Sequence, residues 1–151
     1  MKPPPFEYHA PTSVEETVGL LAELEDAKIL AGGQSLVPLL NFRLARPAHL
    51  VDINGLAELD RVYEREGGVA VGAAVRQATA ERHPLLGQRC PLVPLALHHV
   101  AHHVIRNRGT VCGSIAHREP GIGQIGAGLV RAPLEPFLAA HRHLAAGRPA
   151  S

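Results

Sequence analysis

The sequence predicts an α+β fold in which a small parallel α/β unit, residues 1–55, precedes a second α+β subdomain. Helical and strand patterns alternate between residues 12 and 54, an order that is typical of parallel sheets. From residue 56 onward, an apolar strand rich in Gly is followed by short helical segments. With 151 residues and 46% hydrophobic side chains, the chain has enough apolar material for a core of ordinary size.

The elements of the first unit are predicted from local patterns. A helix is expected after Ser13, because Ser13 and Glu16 have the S-x-x-E spacing of a capping box and Val14, Val18 and Leu21 recur at helical spacing. The other segments are an extended start and possible first strand, MKPPPFEY; a short buried strand, AKILAGG; a second helix, SLVPLLNFRLA, with Pro38 in its first turn; and a second strand, HLVDIN.

A second subdomain is predicted over residues 56–120. Its predicted elements are a strand, GGVAVGAAV; a short helix stopped by Pro84, RQATAERHPLL; a helix over residues 91–105; and a fourth strand or Gly-interrupted turn, GTVCGSIAH. Residues 121–151 form an atypical tail, with Glu135 as their single acid and many Ala, Gly, Pro, Arg and His residues.

Charge and composition exclude several classes of function. The net charge of +1 provides no strong field for nucleic acid or a membrane surface. No run of 18 apolar residues is present, so no membrane span is expected, and the first residues lack the apolar segment of a signal peptide. Cys90 and Cys112 have no metal-binding spacing and are interpreted as reduced thiols. These features predict a cytoplasmic protein.

The first candidate site is the segment ILAGGQSLVPLL, where a predicted strand ends at Gly32 and Gly33. Glycines allow a ligand to approach the backbone closely, and the free N–H groups at a helix start favour an anion such as phosphate. Ser35 is either a helix cap or a donor to a phosphate oxygen. A plain strand–helix turn has the same composition, so the residues alone leave both interpretations open.

The second candidate site is the segment IRNRGTVCGSIAH, in which Gly109 and Gly113 flank Thr110. Thr110 and Ser114 would offer hydroxyl donors to a phosphate. The alternative is a strand with a Gly bulge.

Two further patterns are weaker. His98 with His102, and His99 with His103, have the i, i+4 spacing of zinc ligands on a helix, but a packed or surface helix is the favoured interpretation. Residues 121–126 fit the spacing G-x-G-x-x-G of a dinucleotide-binding loop. They follow the polar segment HREP rather than a buried strand, and no acid lies about 20 residues beyond them, so this interpretation is rejected.

Taken together, AGGQSLVPLLNFRLARPAHLVDIN and VIRNRGTVCGSIAH resemble the FAD-binding medium subunit of the molybdenum hydroxylases, the family of xanthine dehydrogenase and carbon monoxide dehydrogenase. The segments MKPPPFEYHAPTSVEETVGLLAE and VGAAVRQATAERHPLL are also similar to that family, so the resemblance covers residues 1 to about 120. It implies an FAD-binding two-subdomain fold. It also implies a hetero-oligomer with a molybdopterin-binding large subunit and a 2Fe-2S small subunit, from whose clusters the flavin passes electrons to an acceptor.

The resemblance also implies the residues that bind the FAD diphosphate. The first loop would comprise Ile29, Leu30, Ala31, Gly32, Gly33, Gln34, Ser35 and Leu36, and the second Thr110, Val111, Cys112, Gly113 and Ser114. Backbone N–H donors alone would suffice for a diphosphate, so no Lys or Arg is required there. No residue is a convincing general acid, base or nucleophile, which suits a flavin carrier.

Two features depart from the family pattern. Cys112-Gly113 replaces the usual Gly-Gly, and a positive φ at Cys112 would cost about 1 kcal/mol and weaken FAD binding. After SIAH, the family's Asp-Pro, the acid expected near Gly123 and the family's remaining sequence are absent. The resemblance thus implies that the second subdomain, residues 56–120, is incomplete. Residues from about 118 onward are therefore expected not to be family sequence, as a frameshift in a GC-rich gene would produce.

Two alternatives to an FAD-binding electron-transfer subunit remain at this point. One is a truncated, non-catalytic remnant that docks on partner subunits but binds no FAD. The other is an unrelated phosphate- or metal-binding module with the paired histidines as ligands.

Overall fold

The computed structural model describes residues 2–117, and its first part is built around a three-stranded parallel sheet. The strands are β1 (Glu7–His9), β2 (Ala27–Leu30) and β3 (His49–Asp52), in the spatial order β1-β3-β2. The connecting helices are α1 (Val14–Glu23) and α2 (Leu36–Asn41). The order helix, strand, helix, strand is confirmed, and the extended start does contribute a first strand.

The start of α1 follows the predicted capping pattern with one shift. Ser13 Oγ accepts a hydrogen bond from the Glu16 backbone N–H at 3.1 Å. The Glu16 carboxylate reaches back to the N–H of Thr12, at 2.7 Å, rather than to that of Ser13. This backbone hydrogen bond holds the pKa of Glu16 below its ordinary value. The cap fixes where α1 begins, and α1 crosses over between β1 and β2.

The second part begins with a 3₁₀ turn at Ala57–Leu59 and an antiparallel hairpin, β4 (Val62–Arg65) and β5 (Gly68–Val71). Five short helices follow: α3 (Gln77–Glu81), α4 (Pro84–Arg89), α5 (Leu92–His98), α6 (His103–Arg106) and α7 (Val111–Ala116). The predicted third strand is β5, although it ends at Val71 rather than at Val75. The sequence analysis missed β4, whose residues VYER are mostly exposed and polar.

The structure changes the predicted limits and types of several elements in this part. The predicted helix over residues 91–105 is two helices, α5 and α6, because the chain takes a left-handed conformation at Ala101, with φ of 48°. The predicted short helix before Pro84 is α3, which ends at Glu81, but Pro84 is also the first residue of a further helix, α4, where its missing N–H costs nothing. The predicted strand or turn GTVCGSIAH contains helix α7, capped by Thr110.

The apolar cores of the two parts explain how the sheet and the helices are held. In the first part, Leu40, Leu50, Val51, Ile53 and Leu56 are at most 2% exposed. In the second part, a single buried cluster joins the end of the hairpin to the helices; its members are Val75, Ala80, Leu86, Val93, Leu97 and Val111. Among the helices in residues 2–117, none has the length and apolar character needed to cross a bilayer.

Candidate functional site

The two Gly-rich segments, which are about 75 residues apart in sequence, contact one another in the structure. A Cβ placed on Gly32 would lie 2.5 Å from the carbonyl O of Arg108 and 2.7 Å from the Cα of Gly109. Real Cβ atoms do not approach backbone atoms so closely, so only glycine at position 32 permits this contact. The segment after β2 and the segment before α7 therefore form one continuous surface.

Arg76 and Asn54 link the two parts at the same place. One guanidinium nitrogen of Arg76 donates to the carbonyl O of Arg108, and the other donates to Asn54 Oδ1 at 2.7 Å. Asn54 Nδ2 in turn donates to the carbonyl O of Ala31 at 2.8 Å. A chain of hydrogen bonds thus runs from the segment before α7, through Arg76 and Asn54, to the end of β2.

A cleft of about 370 Å³ lies over this junction. Its lining residues are Leu30, Ala31, Gly32, Gly33, Gln34, Val37, Asn54, Arg76 and Arg108. It opens at the carboxyl ends of β2 and β3, where ligands of open parallel sheets are usually bound. Arg76 and Arg108 are among its lining residues, and within residues 2–117 neither guanidinium forms an ion pair with a carboxylate. The cleft is therefore suited to an anionic group.

Most of the first predicted loop lines this cleft. Gly33 has a φ of 70°, which glycine adopts without strain, and this turn directs the chain from β2 into α2. Ile29 lies within β2, paired with Val51 of β3, and does not line the cleft. Ser35 occupies the N-cap position of α2, without a side-chain capping hydrogen bond, and Leu36 is the first residue of that helix.

The second predicted loop lies behind the cleft rather than in its wall. Thr110 is 2% exposed, and its Oγ1 accepts a hydrogen bond from the N–H of Gly113 at 3.1 Å, which caps α7. Ser114 Oγ accepts from Gln77 Nε2 at 2.8 Å, and Gly113 and Val111 are helical. These hydroxyl groups stabilise the second segment. The residue of that segment that lines the cleft is Arg108.

Cys112 does not have the geometry expected from the sequence. It lies inside α7 and does not have a positive φ, so the strain that a positive φ would have caused is absent. Its Sγ points to the carbonyl oxygens of Val71 and Gly72, at 3.6 and 3.7 Å. Burial raises the pKa of the Cys112 thiol to about 11. The side chain packs under the hairpin and is not among the residues that line the cleft.

We therefore expect the Cys112 thiol to be unreactive in the folded chain. In a Cys90→Ser variant, Ellman's reagent at pH 8 should leave Cys112 unmodified, because the reactive thiolate is disfavoured by burial, and should modify it fully after unfolding in guanidinium. The unfolded thiol ionises near its ordinary pKa of 9.0, so the free energy of unfolding should fall as the pH rises from 9.0 to about 11. Rapid modification of the folded variant would contradict the buried position.

The paired histidines do not form the helical pairs that their spacing suggested. His98 ends α5, whereas His102 precedes α6, so the i, i+4 pairs do not lie on one helix. His98 Nδ1 lies 3.0 Å from a carboxylate oxygen of Glu81, and Arg106 Nε donates to the other oxygen at 3.0 Å. The hydrogen bond from His98, with the charge of Arg106, lowers the pKa of Glu81. This group joins α3 to α5 and α6.

The rejected dinucleotide motif at residues 121–126 lies outside the described residues.

Four residues of the cleft were not predicted from the sequence, and no Arg was expected to be required near a bound phosphate. These residues are Val37, Asn54, Arg76 and Arg108. Asn54 lies two residues after the end of β3, as Gly32 lies two residues after the end of β2, so its place at the carboxyl edge of a parallel sheet was a usable signal. Arg76 and Arg108 carry no such signal, because their positions depend on how the second part packs.

Comparison with known proteins identifies the family. Residues 4–132 match the family described as "FAD binding domain in molybdopterin dehydrogenase". This match extends beyond residue 118, where the sequence analysis expects family sequence to end. The residues from 118 onward are not described by the structure, so the proposed boundary and the two-subdomain division stay predictions.

Individual relatives agree with this match. The carbon monoxide dehydrogenase medium chain of Hydrogenophaga pseudoflava is 47% identical over 122 residues, which are 80% of this chain and 42% of the relative. Caffeine dehydrogenase subunit beta of Pseudomonas sp. is 44% identical over 121 residues, or 80% of this chain and 41% of the relative. The chain thus spans about two fifths of the length of the curated relatives it matches.

Solved structures of two enzymes share this fold. Carbon monoxide dehydrogenase from H. pseudoflava matches with a TM-score of 0.76 at 46% identity, covering 80% of this chain and 42% of the other. Quinoline 2-oxidoreductase from Pseudomonas putida 86 matches with a TM-score of 0.75 at 46% identity, covering 78% and 41%. These agreements in sequence and fold confirm the resemblance and the α+β fold class. The chain belongs to the family of FAD-binding domains in molybdopterin dehydrogenases.

Proposed function

We propose that this chain binds the diphosphate of FAD in the cleft between its two parts and serves as the FAD-binding, electron-transfer medium subunit of a molybdenum hydroxylase. The observation that carries the proposal is the junction at Gly32, where the two Gly-rich segments meet and two arginines line one cleft. Bound flavin would supply reversible uptake and release of electrons, and the protein residues would bind and orient it.

The chemistry of the cleft fits a diphosphate. A diphosphate carries about two negative charges, and Arg76 and Arg108 offer two positive ones. The glycines on β2's side keep side chains away from the place where a phosphate would approach the backbone. Leu30 and Val37 provide apolar wall beside these polar groups, as in most small-molecule sites.

The roles that we assign differ between the two predicted loops. Residues 30–34 would contact the diphosphate directly, with Arg76 and Arg108 as charged partners. Thr110, Gly113 and Ser114 would act as positioning residues, because their hydrogen bonds hold the helix start that presents Arg108. Asn54 would hold Arg76 in place through its 2.7 Å hydrogen bond.

The proposed partners are a molybdopterin-binding large subunit and a 2Fe-2S small subunit. Support comes from two of the relatives, which are the medium chain of carbon monoxide dehydrogenase and subunit beta of caffeine dehydrogenase. Large apolar side chains at the surface offer contact area for such partners; Phe42 is 62% exposed and Leu44 is 76% exposed. Both cysteines are free, which suits the reducing cytoplasm.

The proposal is tested by titrating the purified full chain with FAD while flavin fluorescence and the 450 nm absorbance of the retained fraction are measured. Saturable binding is expected. ADP should compete for the site and riboflavin should not, because the described cleft would bind the diphosphate rather than the flavin ring. Absence of saturable binding would reject the proposal in favour of a remnant that binds no FAD.

A further inference from the structure

A cluster of three metal-ligating side chains lies on the paired strands β1 and β3, and none of its residues lines the cleft. Glu7 and His9 are on β1, two residues apart and therefore on the same face of the strand. His49 is the first residue of β3 and is paired with Glu7 in the parallel register. The pairing of the two strands thus brings the side chains of Glu7, His9 and His49 together.

The three potential ligand atoms form a small triangle. His9 Nε2 lies 3.2 Å from His49 Nδ1, Glu7 Oε2 lies 3.4 Å from His49 Nδ1, and Glu7 Oε2 lies 4.0 Å from His9 Nε2. The point equidistant from these atoms is about 2.1 Å from each, which is the usual bond length of Zn²⁺ to imidazole nitrogen or carboxylate oxygen. The spacing suits an ion without a large rearrangement of the side chains.

We propose that Glu7, His9 and His49 form a binding site for a divalent transition-metal ion of the Zn²⁺ type. Two imidazoles and one carboxylate are a donor set that Zn²⁺ accepts, and a fourth position would remain for water. The imidazole side chains are 23% and 19% exposed, so they are partly protected, while the 74% exposed Glu7 side chain faces solvent, from which an ion enters. This proposal is independent of the proposed FAD function.

Such an ion would fasten the edge strand to the sheet. β1 has only three residues and pairs with β3 on one side alone. In the ion-free chain, the contacts among these side chains are one hydrogen bond between the imidazoles and the interactions of Glu7 with them. A metal bound only by the folded chain would add its binding free energy to stability.

The test is a titration of the full chain with Zn²⁺ by calorimetry, together with thermal unfolding with and without Zn²⁺. We expect binding of one Zn²⁺ at the cluster and a higher melting temperature when it is bound. Two variants, His49→Ala and Glu7→Gln, should each weaken Zn²⁺ binding at least about tenfold, since even an outer-shell partner contributes that much. Glu7→Gln is the milder change, because it alters an exposed side chain and should fold normally.

The matched control is the double variant His102→Ala/His103→Ala, which removes two exposed histidines elsewhere and should leave Zn²⁺ affinity unchanged. Equal Zn²⁺ affinity in the parent chain, Glu7→Gln and His49→Ala would overturn the proposal. A loss confined to the double variant would assign the ion to the histidines near α6 instead and would also overturn it. FAD titration of Glu7→Gln should be unaffected, so this proposal and the proposed function fail separately.

Discussion

Replacing Gly32 by Ala is expected to abolish FAD binding and to lower the free energy of unfolding by about 3 kcal/mol, the upper range for an overpacked site. The added Cβ would lie 2.5 Å from the carbonyl O of Arg108, 2.7 Å from the Cα of Gly109 and 3.0 Å from the N of Thr110. All three are backbone atoms, so no side-chain rotation relieves the collision. The two segments would have to separate, and the cleft depends on their contact.

Gly19 supplies the matched control, since it lies in α1 with no atom within 4 Å of an added Cβ. Gly19→Ala is expected to raise stability by about 0.5–1 kcal/mol, through the better helix propensity of Ala, and to leave FAD binding unchanged. Chemical denaturation and FAD titration of both variants measure the two effects. If Gly32→Ala matched Gly19→Ala in stability and FAD affinity, the close approach of the two segments would be refuted.

Gly32 and Gly33 of the first predicted loop are needed for different reasons. Glycine pairs after a strand signal a close backbone approach, and both Gly32 and Gly33 were predicted to matter for that reason. The structure separates their roles. Gly33 is needed for its φ of 70°, and a Cβ there would meet only the side chains of Val37 and Leu30. Gly32 is needed because the backbone of residues 108–110 touches it, and no local pattern reveals that this segment is the partner.

The first part of the fold was predictable because its signals are local. The Ser13 cap, the helical spacing that follows it and the short apolar strands all lie within a few residues of the elements they specify. The parallel order followed from the alternation of helices and strands. The sheet's strand order, with β3 between the other two, depends on long-range packing and was not predicted.

The second part was harder to predict because its helices are short and their limits are set by tertiary contacts. The segment TVCGSIA has β-branched residues, which favour a strand, and an internal glycine, which favours a turn. It is helical because Thr110 caps the N–H of Gly113 and Ser114 bonds to the buried Gln77. Likewise, nothing in the sequence near Ala101 signals the left-handed turn that separates α5 from α6.

The same reasoning explains which site residues were missed. A glycine-rich loop has a recognisable composition, whereas Asn54, Arg76 and Arg108 are single polar residues separated by 22 and 32 positions. The fold alone brings them together. Their hydrogen bonds join the two parts, so the charge of the cleft is a property of the packed chain. The idea that backbone N–H groups suffice for the diphosphate therefore gives way to a prediction about Arg76.

Arg76→Met is expected to lower FAD affinity about 10- to 100-fold, the effect of losing about 1.5–3 kcal/mol of hydrogen bonding to a charged group. The methionine keeps most of the apolar stem but removes the donors to the carbonyl O of Arg108 and to Asn54. Arg82→Met is the control, because Arg82 is an exposed arginine that is not among the cleft residues. It removes the same charge and should change FAD affinity little.

Salt dependence and a third variant distinguish a direct contact from a general charge effect. If Arg76 contacts the diphosphate, its contribution should persist at high salt, where distant charges are screened. Arg76→Lys should give an intermediate affinity, because a lysine keeps the charge but cannot donate to two partners in the same planar geometry. The two variants Arg76→Met and Arg82→Met could instead lose equal FAD affinity relative to the parent chain, with both differences disappearing at high salt. That result would mean that the cleft attracts FAD only through overall charge. A loss specific to position 76 would instead assign the diphosphate to the junction of the two Gly-rich segments, since Arg76 is the side chain that holds that junction together.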